Sequence, residues 1–152
     1  FKGLIMIVRE MVKEDLDEIV SIEDSLYNDK WTKEAYLRDL ENDIAFNYVL
    51  EHDGVILGYY GFWVLFDNID ITKVSIRKEL QGKGLSNILM EDMFKRISNS
   101  DIVTATLEVR VSNEAAIGLY SKYGFKKISV REKYYEGVED AYVMQKEVNR
   151  DA

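Results

Sequence analysis

At 152 residues the chain fits one domain of the usual ~100 to 200 residues and can bury a core of its own. The absence of cysteine excludes thiolate nucleophiles, disulfides, iron–sulfur clusters and thiolate zinc sites, and a single histidine, His52, excludes a two-histidine metal site. Twenty Lys and Arg against 28 Asp and Glu give a net charge of −8, which argues against a general phosphate-backbone binder and suits either simple solubility or a cationic partner.

The chain opens Phe1-Lys2-Gly3-Leu4-Ile5 ahead of Met6, and residues 1–5 are expected to be a remnant preceding a natural start. Residues 6–11 read as a strand, and Leu16, Ile19, Val20 and Ile22, set among acids, have the spacing of an amphipathic helix. Tyr27-Asn28-Asp29-Lys30-Trp31 breaks that pattern, and Thr32 can cap a second helix carrying Tyr36, Leu37 and Leu40. The loop between the two helices is a candidate substrate lip. Two β-rich runs follow, 46–51 and 55–65, joined by His52-Asp53-Gly54, where Asp-Gly supplies the positive φ angles of a tight hairpin. A polar position beside a turn accounts for His52 without chemistry, since no serine or carboxylate near it in sequence suggests a triad.

A third β run covers 69–76. After it, Gln81-Gly82-Lys83-Gly84-Leu85-Ser86-Asn87 leads into a helix with Ile88, Leu89, Met93, Phe94 and Ile97. Residues 102–111 read as a strand, Ser112 and Asn113 offer caps for a helix through Tyr123, and Gly124 fits its stop. Two more strands, 126–133 and 140–148, are joined by residues 134–139. The order β, α, α, β, β, β, α, β, α, β, β describes one mixed α/β domain over residues 6–148 with a short tail at 149–152. No apolar run approaches the ~18 residues of a membrane span and no charged-then-apolar N-terminus resembles a signal peptide, so the expectation is a soluble cytoplasmic protein with no membrane or direct nucleic-acid contact.

Two constellations could carry chemistry. Gly82 and Gly84 lie between a strand and a helix, where backbone N–H groups can approach an anion and the helix dipole favours it. The spacing matches neither a nucleotide-hydrolase phosphate loop nor a full dinucleotide fingerprint, an ordinary glycine turn explains it equally, and Lys83 reads as a solvated lysine or a phosphate neighbour. The second constellation is Leu107-Glu108-Val109-Arg110, Ser112-Asn113, Leu119-Tyr120 and Gly124-Phe125. Glu108, near the end of a central strand, could serve as a partly desolvated base, and Tyr120, two helical turns beyond Asn113, as an acid in the same cleft. The plainer alternatives are an ion pair of Glu108 with Arg110, or a surface charge, and a core-packed Tyr120.

Together these patterns resemble the GNAT superfamily of acyl-CoA-dependent N-acetyltransferases over nearly all of residues 6–148, which implies a central mixed sheet of about seven strands flanked by about four helices. Gln81-Gly82-Lys83-Gly84-Leu85-Ser86 is similar to the family's Gln/Arg-x-x-Gly-x-Gly/Ala phosphate motif, with Ser86 in place of the usual Gly or Ala. The second constellation, with Ala116, Tyr134-Tyr135, Glu139-Asp140-Ala141 and Met144, resembles the ribosomal-protein-alanine N-acetyltransferase group, whose Pro-Trp in the first inter-helix loop is Lys30-Trp31 here.

The resemblance implies acetyl-CoA as cosubstrate, no metal, and a protein N-terminus as partner, in a monomer or weak dimer. It implies Glu108 as proton acceptor and Tyr120 as proton donor to the leaving thiolate. Val74, Ser75 and Ile76 would offer the strand edge that meets pantetheine, Gly82, Lys83, Gly84, Leu85, Ser86 and Asn87 the pyrophosphate loop, and Asn113 a further CoA contact. Trp31, Tyr134 and Tyr135 would border the incoming peptide. With no cysteine for an acyl-enzyme, direct attack in a ternary complex is the simplest route. A small-amine acetyltransferase or a non-catalytic acyl-CoA-binding module are the competing expectations.

Overall fold

The computed structural model describes residues 5–28, 30–135 and 137–149, with Tyr135 described by its backbone only. The elements are β1 (Ile7–Glu10), α1 (Leu16–Leu26), α2 (Lys33–Leu40), β2 (Ala45–His52), β3 (Val55–Leu65), β4 (Asn68–Ile76), α3 (Leu85–Ile97), β5 (Thr104–Arg110), α4 (Glu114–Lys122), β6 (Lys126–Tyr135) and β7 (Glu139–Glu147). They bear out a single α/β fold with one seven-stranded sheet and four helices, in the order β1-β2-β3-β4-β5-β7-β6. Residues 1–4 and 150–152, within the expected remnant and tail, lie outside the described residues.

Local chemistry accounts for most boundaries. Thr32 caps α2 by accepting from the Ala35 N–H at 3.1 Å, and Asn113 caps α4 by accepting from the Ala116 N–H at 3.2 Å. The β2–β3 hairpin has φ of 49° at Asp53 and 78° at Gly54, the paired positive angles its sequence anticipates. Two short 3-10 turns, Lys13–Asp15 and Lys78–Leu80, were not anticipated. One connection is also narrower than expected, because Tyr134 and Tyr135 complete β6 and Glu139 opens β7, with Tyr135 and Glu139 paired across the ladder.

Helices cover both faces of the sheet. On one side Leu16, Ile19 and Ile22 of α1 and Tyr36 of α2 pack on Val49, Ile56 and Tyr59. On the other, Leu85, Leu89, Met90 and Met93 of α3 and Tyr120 of α4 pack on Leu50, Tyr60, Ile69, Leu107 and Met144. This double cover is why β3 is buried continuously from Ile56 to Phe62 and why its sequence lacks the polar alternation of a half-exposed strand. No described helix is long and apolar enough to cross a membrane.

Among the described residues only β4 and β5 run parallel, linked through α3, and their pairing is brief: Asn68 with Thr104, Ile69 with Ala105, and Asp70 with Thr106. Beyond Asp70 the ladder between them stops, while β4 stays paired to β3 through Ile76 and β5 to β7 through Arg110. Within β4, Gly61 opposes Lys73 and Phe62 opposes Ile71, so Thr72 is an extra residue in a bulge. The bulge resets the alternation. Ile69 and Ile71 enter the α3 core, whereas Lys73 and Ser75 reach α1 and the segment after it, a side that uninterrupted alternation would deny them.

Candidate active site

The gap between β4 and β5 opens a cleft of about 630 Å³. Ile71, Thr72, Lys73 and Val74 form one wall, and Leu107, Glu108, Val109 and Arg110 the other. Asn113, Ala116 and Tyr120 close it from α4, and Tyr27, Trp31, Trp63 and Tyr134 border its other end. Strand alternation decides which group arrives from which side. Leu107 and Val109 are buried toward α3 and α4, so Glu108 projects to the opposite face, where its side chain is 20% exposed. Tyr120 rises from the α4 side, buried to 9% exposure, with its ring edge-on to Phe125 at 5.9 Å. The cleft therefore passes through the sheet, with a carboxylate on one face and a phenol on the other.

Glu108 does pair with an arginine, but a different one from the neighbour in sequence. Arg131 of β6 donates to Glu108 Oε1 at 3.0 Å, while Arg110 turns to Glu139 at 3.2 Å. Glu139 also accepts from the Ser112 N–H at 3.0 Å, and these hydrogen bonds from Ser112, helped by Arg110, hold its carboxyl below the ordinary range. The bond ties the start of β7 to the turn ahead of α4.

The structure brings Trp31, Val74, Glu108, Asn113, Tyr120 and Tyr134 to one cleft. Ser75 and Ile76 continue the same strand, but their side chains turn away: the Ser75 hydroxyl is 2.6 Å from that of Tyr27, and Ile76 enters the core. Their backbone lies on the β4 edge that β5 does not pair. Gly82, Lys83 and Gly84 are exposed beyond the end of β4, with φ of 77° and 82° at the two glycines, and Gly84 is the N-cap of α3. Such left-handed positions admit glycine at no steric cost, and the helix N-terminus they lead into favours an anion. Leu85 is buried, anchoring this turn, and Ser86 is half-buried behind it. Asn87 fastens the start of α3 to α4, its Oδ1 accepting from Lys122 and from Tyr123, each at 2.9 Å. The side chain of Tyr135 lies outside the described residues.

Several contributors were not singled out from sequence. Glu23 of α1, fully buried, accepts from Tyr36 and Tyr59, from the Trp31 N–H at 3.3 Å and from Lys73, whose Nζ lies 3.1 Å from Oε1. The Lys73 ammonium also sits 4.9 Å from the centre of the Trp31 ring and 5.3 Å from that of Tyr27. One buried carboxylate thus staples the lip to β4. Glu23 follows Leu16 and Ile19 at the spacing of the apolar stripe, which is the signal that could have found it. Asp70 and Trp63 also line the cleft. No group of three or more metal-ligating side chains occurs among the described residues.

The profile of the acetyltransferase (GNAT) family matches residues 13–125. A Bacillus subtilis protein provisionally named a ribosomal protein bS18-alanine N-acetyltransferase is 38% identical over 144 residues, covering 93% of this chain and 95% of that one. The ribosomal protein bS18-alanine N-acetyltransferase of Escherichia coli is 28% identical over 133 residues, covering 86% and 89%. Among solved structures, the ribosomal-protein-S18-alanine N-acetyltransferase from Escherichia coli superposes with a TM-score of 0.89 at 24% identity, covering 97% of each chain.

Proposed function

Because the chain belongs to the acetyltransferase (GNAT) family, we propose that it moves the acetyl group of acetyl-CoA to the N-terminal α-amine of a protein, the N-terminal alanine of a small-subunit ribosomal protein being its substrate. The observation that carries this reading is the through-sheet cleft, with Glu108 on one face and Tyr120 on the other.

Acetyl-CoA would supply the activated thioester. The unpaired edge of β4 at Val74, Ser75 and Ile76 suits the pantetheine arm, and the glycine turn from Gly82 through Asn87 suits the pyrophosphate. Asn113 lines the same cleft, and because its Oδ1 accepts the capping bond of α4, its Nδ2 is the group left to donate to CoA. Trp31, Tyr134 and Tyr135 would border the peptide.

The amine must be neutral to attack. An α-amine of pKa ~7.8 is about 14% neutral at pH 7, against about 0.04% for a lysine of pKa ~10.4. One carboxylate, Glu108, is therefore adequate for an α-amine, directly or through a water, whereas a lysine acceptor would need about 3.5 kcal/mol more help. Held against the thioester, the amine attacks the carbonyl carbon, and a backbone N–H of the unpaired β4 edge would stabilise the oxyanion. Tyr120 then gives its proton to the departing sulfur.

The test is CoA release from acetyl-CoA over a panel of N-terminal peptides, with an ε-lysine peptide and spermidine as controls. Turnover greatest on an alanine-initiated ribosomal peptide is expected. Turnover confined to spermidine would reassign the enzyme to small amines, and none with any amine would leave an acyl-CoA-binding module.

A further inference from the structure

The cleft contains a second carboxylate. Asp70 is the last residue of β4 paired to β5, at the point where the strands part. On the same face, Asn68 accepts from the hydroxyls of Thr104 and Thr106, at 2.8 and 2.9 Å, and locks the two strands together just before the gap. One step further along, Asp70 and Glu108 both line the cleft, and each lies within the other's electrostatic reach.

Their settings differ. Glu108 is committed to Arg131, whereas the half-buried carboxylate of Asp70 makes no hydrogen bond or ion pair among the described residues. Burial, and then the negative charge of Glu108, push the Asp70 carboxyl above its ordinary range, with Arg131 offsetting part of this. The other charged and titratable groups facing this space are Lys73 on β4, Arg110 on β5, Tyr120 on α4, Tyr134 on β6 and Tyr27 after α1; the β3 neighbour, Trp63, is neutral and gives its indole N–H to Asp39. A partly desolvated carboxylate with no protein partner suits a cationic ligand, and an α-amine arrives mostly as the ammonium at neutral pH.

We propose that Asp70 is the group that seats the acceptor's ammonium, holding it beside Glu108, which takes one proton from it. The inference rests on the acetyltransferase reading above and assigns that site a further residue. The ammonium loses one proton to Glu108, which passes it to water. The neutral nitrogen attacks the thioester carbon, the C–S bond breaks, and Tyr120 protonates the sulfur. The proton that the nitrogen sheds as the amide forms restores the Tyr120 hydroxyl.

The same geometry has a consequence for stability. A carboxyl whose pKa is raised by folding binds its proton more tightly in the native state, so its cost to stability is absent below the unfolded value and grows as pH rises through the folded one. Removing the charge at Asp70 should therefore stabilise the fold at neutral pH, with the gain fading in acid. A residue kept for packing would behave otherwise.

The experiment compares wild type, Asp70→Asn, Asp70→Glu and Glu108→Gln by steady-state kinetics on the preferred N-terminal peptide from about pH 5.5 to 9.5, with thermal melts alongside. Asp70→Asn should lower kcat/KM roughly 10- to 100-fold below the amine pKa, chiefly through a higher peptide KM, with the loss shrinking toward pH 9. Its acetyl-CoA affinity should be unchanged, its melting temperature at neutral pH equal or higher, and Asp70→Glu should recover part of the activity. A wild-type kcat/KM profile with unchanged peptide KM in Asp70→Asn overturns the proposal. If wild type accepts only spermidine, the peptide reading fails while the same comparison with spermidine, itself an ammonium at these pH values, still decides Asp70. If wild type acetylates no amine, both readings fall.

Discussion

At the scale of single residues, Glu108 and Tyr120 sit on opposite faces of the opened sheet. Glu108→Gln should lower kcat most severely at about pH 6, where the acceptor is almost wholly protonated, and leave acetyl-CoA affinity nearly intact. Equal activity across the pH range would remove Glu108 from its role. Tyr120→Phe should slow turnover on the order of 10²-fold, and an unchanged single-turnover rate would assign the ring to packing against Phe125. A glycine matters at this scale too. A Cβ on Gly58 would lie 2.6 Å from the carbonyl oxygen of Ser75, a backbone atom of the neighbouring strand that cannot swing aside. Gly58→Ala should cost about 1 to 3 kcal/mol by chemical denaturation and raise the KM for acetyl-CoA by displacing the edge of β4.

At the scale of elements, the segment after α1 is held less by its own sequence than by Glu23. Two tyrosine hydroxyls, the Trp31 N–H and the Lys73 ammonium converge on one fully buried carboxylate. Burial, with the negative charge of Glu23 adding to it, keeps both phenols far above their usual range, so they serve as permanent donors. Glu23→Ala would remove that hub, and the expected loss is about 3 to 5 kcal/mol of stability, the scale of breaking a buried charged pair. In the surviving folded enzyme the peptide KM should rise while the acetyl-CoA KM stays near wild type, because the lip and the glycine turn are tied to different helices. Parallel rises in both constants would mean that α1 supports the whole sheet and not the lip in particular.

At the scale of the whole molecule, a net charge of −8 should draw in a basic peptide. For a peptide with lysine or arginine after its first residues, kcat/KM should fall as salt rises from about 50 to about 500 mM, while a neutral peptide of equal length changes little. Equal salt sensitivity for the two peptides would leave the charge with solubility alone. The sheet itself also acts as a unit here. Tight turns join β2 to β3, β3 to β4 and β6 to β7, whereas the chain passes through α3 between the parallel strands β4 and β5, and the cleft forms where that pair parts.

Sequence by itself determined what depends on near neighbours. The Asp53-Gly54 hairpin, the Thr32 and Asn113 caps, the Gly84 and Gly124 breaks and the apolar stripes of α1 and α3 are set by steric preference and hydrogen bonding over a few residues, and each lies where its pattern put it. The residues Glu108, Asn113 and Tyr120 were legible as a group for the same reason, being carried by one strand and the helix that follows it. Tertiary structure alone decided the partners. Arg131, not Arg110, meets Glu108, because β7 inserts between β5 and β6 and its register sets which side chains cross it. The Thr72 bulge, the parting of β4 from β5 at Asp70, and the convergence on Glu23 likewise depend on other elements, with partners up to 50 positions apart in the chain, and no local periodicity carries information about which strand will stop pairing.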